Sequence, residues 1–364
     1  MAPQIKIALF EDTTQTRSKV LDALKKHLGA DGSVIPIEAG QFNEQDDKQR
    51  TYEDRLEGIL SKPPYEGLTL VVADRDLSKS QDIDFRGLSV NAVVAACERL
   101  TVPVCAYARE LESDDDYDWR GRWEENHIVL SFSEGEDELA RRAVVAGRGF
   151  VDIAELLKPG IEVKSSPAKI LAGLLGKAEY TDKISLYAVG DQNRLTEILG
   201  KSKQTVASDQ VKRLTHFLGY WLWLSLLRYP GVFVNEVAAG SHLNIENDSF
   251  HRADVQSVFQ EAIYTGPFAD SKRPQWWRGM LDDIVARENC ADGLELVQKK
   301  VSSSITRSQC YVDPSKPAGY YCIISRKPVS VENSKGGLSW FPRGADLTRI
   351  SIPKLEEYGP WLGT

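Results

Sequence analysis

Residues 68–78 read Leu-Thr-Leu-Val-Val-Ala-Asp-Arg-Asp-Leu-Ser. An apolar run over residues 68–73 that stops abruptly at Asp74 has the length and composition of a strand buried on both faces. Such strands occur in parallel sheets, where helices cover both sides. Working outward, residues 5–10 form a similar run closed by Glu11 and Asp12, and residues 16–28 carry Val20, Leu21, Leu24 and Leu28 at helical spacing. Residues 33–37 predict a second strand, and residues 52–60 a helix stopped before Pro63-Pro64. Beyond Asp74 the alternation continues with a helix over residues 88–100, strands over 102–106 and 128–132, and a helix over 136–146. Five strand–helix units predict a flavodoxin-like, doubly wound, five-stranded parallel sheet.

The chain has 364 residues, more than one ordinary domain, which predicts two units each with its own core. Pro159, Gly160, Ser165, Ser166 and Pro167 interrupt the periodic pattern, so the expected domains are residues 1–158 and 167–364. Helical patterns dominate residues 167–301, and β-branched or alternating segments follow near residues 320–324, 329–331 and 347–352. A mainly helical α+β second domain is the expectation. Between the fourth and fifth strands, residues 109–126 hold four aspartates with Trp119 and Trp123, a loop long enough to suggest a surface insertion or a partner-binding element.

A net charge of −8 disfavours polyanions as general partners. The apolar run over residues 217–227 falls short of the ~20 residues that a membrane helix needs. The opening residues show no basic leader, and the five cysteines show no C-x2-C pair. A cytoplasmic protein without membrane contact is therefore expected.

The chemistry concentrates at the strand ends. In open parallel sheets, ligands bind outside the carboxyl ends of the strands, where strand order reverses. If the first and third strands are neighbours, Glu11, Asp12 and Asp74 converge on one crevice. Clustered carboxylates need a counter-charge, and Mg²⁺ takes a few carboxylates plus waters.

On these residues the N-terminal part resembles the receiver domain of bacterial response regulators. Residues 9–12, Leu-Phe-Glu-Asp, are similar to the family's acidic pair, and residues 70–78 to its phospho-acceptor strand and loop. The resemblance covers about the first 150 residues. It implies that Asp74 accepts a phosphoryl group and that Mg²⁺ is bound weakly by Glu11, Asp12 and Asp74 with the backbone carbonyl of Asp76. A kinase or a signalling complex would be the protein partner. The switch hydroxyl expected at the end of the fourth strand falls on Ala108, and no lysine follows the fifth. Both a phosphorylatable receiver and a pseudo-receiver that docks a partner are consistent with this pattern.

The second domain offers weaker signals. Residues 234–245 resemble the start of a helix-turn-helix, but the segment that follows is acidic, which argues against DNA as a partner. Residues 161–164, Ile-Glu-Val-Lys, match a short nuclease pattern common by chance. Arginines alternate with aromatics, and Arg278 and Arg343 with Trp276 and Trp340 are the candidate lining of a ligand or partner groove, with core packing as the other use of such pairs. The expected function is regulatory, the receiver-like domain controlling an output domain. An enzyme with its active site in the second domain, or a DNA-binding regulator, are the alternatives.

Overall fold

The computed structural model describes residues 4–44, 50–77, 82–108, 127–157, 166–187 and 208–359. The acidic loop at 109–126 and the Ile-Glu-Val-Lys segment lie outside the described residues. The chain divides into two compact units, residues 1–162 with 205–220, and residues 163–204 with 221–364.

In the first unit, strands β1 (Ile5–Phe10), β2 (Gly32–Pro36), β3 (Leu70–Asp74), β4 (Val104–Ala108) and β5 (Ile128–Ser131) form one sheet in the order β2-β1-β3-β4-β5. Every pairing is parallel. All five residues of β3 and of β4 are buried, which is why both strands read as unbroken apolar runs.

Helix α1 (Thr14–Leu28) buries Val20, Ala23, Leu24 and Leu28 along one stripe and ends at Gly29, whose φ of 56° lies in the left-handed region glycine tolerates. A short helix α2 (Ala39–Glu44) follows β2, and helix α3 (Tyr52–Leu60) starts on a reciprocal capping box between Thr51 and Asp54. Helix α4 (Val90–Leu100) is capped by Ser89, and α5 (Gly135–Leu156) closes the unit. Helix α1 packs on α5, and α3 on α4. Phe10, Leu56, Ile59, Val71, Val93 and Ala96 belong to a single core cluster.

Helix α5 runs ten residues past the end expected at Ala146, through Gly147, which is a contact position. A Cβ on Gly147 would lie 3.3 Å from Ile5 Cγ2, so the helix passes close over β1. The helix Ser208–Trp221, expected in the second domain, joins the first unit through Tyr220. The Val104 amide, at the start of β4, donates to the Tyr220 hydroxyl at 2.7 Å. The Tyr220 ring meets Phe150 edge-on at 5.4 Å, and a Cβ on Gly219 would overlap the same phenylalanine.

The second unit is an α+β arrangement. Strands β6 (Phe233–Asn235) and β7 (Gln275–Trp277) pair antiparallel. Strands β8 (Tyr320–Cys322), β9 (Lys327–Val329), β10 (Ser334–Gly336) and β11 (Thr348–Ser351) form a sheet in the order β10-β11-β8-β9. Short helices surround an aromatic core in which Phe233 meets Trp277 at 4.3 Å and Tyr264 at 4.7 Å. Helices were expected over residues 234–243 and 276–285; their first two residues instead belong to β6 and β7, and the helices Glu236–His242 and Arg278–Arg287 follow. After the turn at Asn244 the chain forms the short helices Asn247–Phe250 and Ala253–Val258.

Candidate functional site

The register of the sheet builds the acidic crevice. Phe10, the last residue of β1, lies opposite Ala73 of β3, so the next residue in each strand brings Glu11 and Asp74 level at the carboxyl edge. Asp74 in turn lies opposite Tyr107 of β4. One carboxylate oxygen from each of Glu11, Asp12 and Asp74 comes within 4.8 Å of the others, in a geometry that could hold a metal ion. Their exposures are 1%, 2% and 5%, so the group is shielded from water rather than spread over a solvated surface.

Fixed donors hold the acids in place. The Thr13 amide donates to Glu11 Oε1 at 2.8 Å, and the Thr13 hydroxyl to Asp12 Oδ1 at 3.3 Å. The amide of Asp76 donates to Asp74 Oδ1 at 3.0 Å, which turns the chain sharply after β3. The Ile83 amide donates to the Asp12 carbonyl at 3.0 Å.

Tyr107 is the member that the sequence reading did not assign. Its phenol donates to Glu11 Oε2, and its ring stacks on Phe132 with centroids 5.9 Å apart. It is fully buried. The signal was present as a hydroxyl-bearing aromatic one position before Ala108 at the end of β4, but that it reaches across β3 to Glu11 follows only from the sheet order. Ala108 ends β4 without a hydroxyl, and Phe132 and Ser133 follow β5.

The donor set fits a hard cation. All three are carboxylates that converge from two adjacent strand ends, and burying like charges side by side is expensive. When bound, Mg²⁺ would supply positive charge opposite the three carboxylates.

Elsewhere in the first unit, burial, followed by the charge of Arg75, lowers the His127 pKa from 6.5 to about 4, so this imidazole is neutral at ordinary pH.

In the second unit the proposed groove residues have different surroundings. Trp276 is completely buried and meets Phe250 edge-on at 5.3 Å. It therefore serves as core and not as an open wall, a correction to the groove reading. Arg278 makes an ion pair with Asp346 at 2.6 Å, Arg343 is exposed, and Trp340 is half-buried against Phe341 at 4.4 Å. Arg349 lies over the Tyr320 ring at 4.8 Å while its guanidinium donates to Ser334, which ties β10 to β11.

No family model matches the chain, and no curated protein matches it.

Proposed function

We propose that the first unit is a flavodoxin-like, receiver-like regulatory module whose acidic crevice takes a hard divalent cation of the Mg²⁺ type, and that its state controls the second unit through a protein partner. The observation that carries this reading is the convergence of Glu11, Asp12 and Asp74 within 4.8 Å at the carboxyl ends of β1 and β3. The strand order β2-β1-β3-β4-β5 supports it, because this order makes those two ends neighbours.

A physical route from crevice to output also favours regulation. Strand β4 carries Tyr107 on Glu11 near one end and Val104 on Tyr220 at the other. Tyr220 belongs to the helix Ser208–Trp221, from which the chain passes into the second unit. A cation that draws Glu11 away from the phenol would act on β4 and so on the footing of that helix.

Phosphorylation of Asp74 by a partner kinase is the second reading, favoured by the place of Asp74 at the end of β3. The pseudo-receiver form is preferred because Ala108 offers no hydroxyl and no lysine follows β5, which leaves a phosphoaspartate without the donors that couple it to a conformational change. Incubation with a small acyl-phosphate donor in Mg²⁺, read by intact mass, separates the two. An unmodified protein whose melting temperature still responds to Mg²⁺ supports the docking form. Stoichiometric labelling lost in Asp74→Asn supports the phospho-acceptor. A protein that neither labels nor responds to Mg²⁺ removes the receiver reading.

A further inference from the structure

A cavity of about 350 Å³ opens on the second unit between residues 177–183 and residues 279–283. The first stretch holds the short helices Ala178–Tyr180 and Thr181–Ser185, and the second belongs to the helix Arg278–Arg287. Four charged side chains face the cavity. Two of them answer each other, Lys177 and Glu179 at 3.8 Å. The other two, Lys183 and Asp283, make no ion pair and no side-chain hydrogen bond among the described residues. The Lys183 ammonium rests over the Tyr180 ring, 5.5 Å from its centroid, which leaves its donors open to an acceptor.

Tyr180 adds an independent observation. It is only 7% exposed, its ring is wedged against Trp277 at 4.9 Å, and its phenol lines the cavity without a hydrogen-bond partner among the described residues. A buried tyrosine that only packs finds an acceptor for its hydroxyl, as Tyr187 does on the Tyr229 carbonyl at 2.9 Å. Gly279 keeps the phenol open, since a Cβ there would lie 2.4 Å from its oxygen. Burial, followed by the charges of Asp283 and Glu179, raises the phenol's pKa above its ordinary 10.0, so at neutral pH it is a hydrogen-bond donor. A donor beside an unpaired ammonium is a seat for a carboxylate, and the unpaired carboxylate of Asp283 calls for an ammonium. One small molecule that carries both groups satisfies all three side chains. A plain anion would be repelled by Asp283, and a plain amine by Lys183. Met280 supplies an unbranched apolar wall beside them.

We propose that this cavity binds a small zwitterion of the free amino acid class, its carboxylate on Lys183 and the Tyr180 phenol and its ammonium on Asp283. The three groups come from two separate stretches of chain, so a bound ligand ties residues 180–183 to the helix Arg278–Arg287. The site lies wholly within the second unit and does not depend on the acidic crevice.

The test is calorimetric titration of the full-length protein with the standard amino acids, one at a time. At least one should bind with a Kd of about 1 mM or tighter. Its N-acetyl and its amide derivatives each lack one charge and should bind about tenfold more weakly or worse. Lys183 and Asp283 are exposed, so Lys183→Met and Asp283→Asn keep the fold, and each should weaken the amino acid by a similar factor. Tyr180→Phe keeps the ring on Trp277 and should weaken it several-fold. The proposal is overturned if no amino acid binds at millimolar concentration, or if affinity survives in Lys183→Met or in Asp283→Asn. Inorganic phosphate binding as tightly as the best amino acid would mark a plain anion site and overturn it as well.

Discussion

Replacing Asp74 by Asn removes one negative charge from a crevice where oxygens of Glu11, Asp12 and Asp74 lie within 4.8 Å of one another. At that separation and an effective dielectric constant of about 20, each ionised pair repels by about 3.5 kcal/mol, and the substitution removes two such pairs. Most of this is already offset by the donors from Thr13, Asp76 and Tyr107, and Asn keeps an oxygen that can accept from the Asp76 amide. A net gain of about 2 kcal/mol in chelator is therefore expected, equivalent to roughly 4–8 °C in melting temperature for a unit of this size. Added Mg²⁺ should raise the melting temperature of wild type and leave Asp74→Asn unmoved. The assay is thermal unfolding of both proteins with EDTA and with excess Mg²⁺. An Asn variant that is less stable than wild type in EDTA, together with a wild type indifferent to Mg²⁺, would refute the reasoning that like charges meet here and need a cation.

Further consequences concern single side chains. Tyr107→Phe keeps the ring on Phe132 but removes the phenol from Glu11, and should cost about 1.5–3 kcal/mol in urea unfolding without Mg²⁺. His127 is buried neutral with its pKa lowered to about 4, so the unfolded chain takes up its proton first. Its contribution is thus fully present above about pH 6.5 and is lost as pH falls toward 4. Against His127→Leu, wild type should lose on the order of 3 kcal/mol across that window, and parallel slopes would contradict the assignment. Gly231→Ala would place a Cβ 2.0 Å from the Gly344 carbonyl oxygen and 2.1 Å from the Tyr187 hydroxyl, so it should destabilise the second unit by several kcal/mol, measurable by calorimetry.

How much of this was legible in the sequence depends on how local the cause is. The apolar run that ends at Asp74 is a strand because all five residues of β3 are buried, and burial on both faces leaves its mark in composition. The start of α3 was legible for a similar reason, since Thr51 and Asp54 cap it with their own side chains. Helix α5 was misjudged at Gly147 because glycine weakens a helix locally, while here its missing Cβ allows the close approach to Ile5. The helix Ser208–Trp221 was assigned to the wrong unit, since its apolar face does not say which core it joins. Tyr220 finds its partner at Val104, more than a hundred residues earlier. Glu11, Asp12 and Asp74 could be grouped because a parallel sheet places strand ends together. Tyr107 could not be added without knowing that β4 lies beside β3 in a register that levels Tyr107 with Asp74. Trp276 shows the same limit from the other side: beside an arginine it suggested a binding wall, but pairing in β7 turns it wholly inward.

The central claim, a cation held by the acids at the ends of β1 and β3, is tested most directly by growing crystals in Mn²⁺ and recording anomalous diffraction. The account predicts one peak in the crevice within bonding distance of Glu11, Asp12 and Asp74, with the Tyr107 phenol released from Glu11 or still bound to an oxygen the metal does not use. A map with no anomalous density there, from crystals grown at saturating Mn²⁺ with the crevice clear of lattice neighbours, would contradict it.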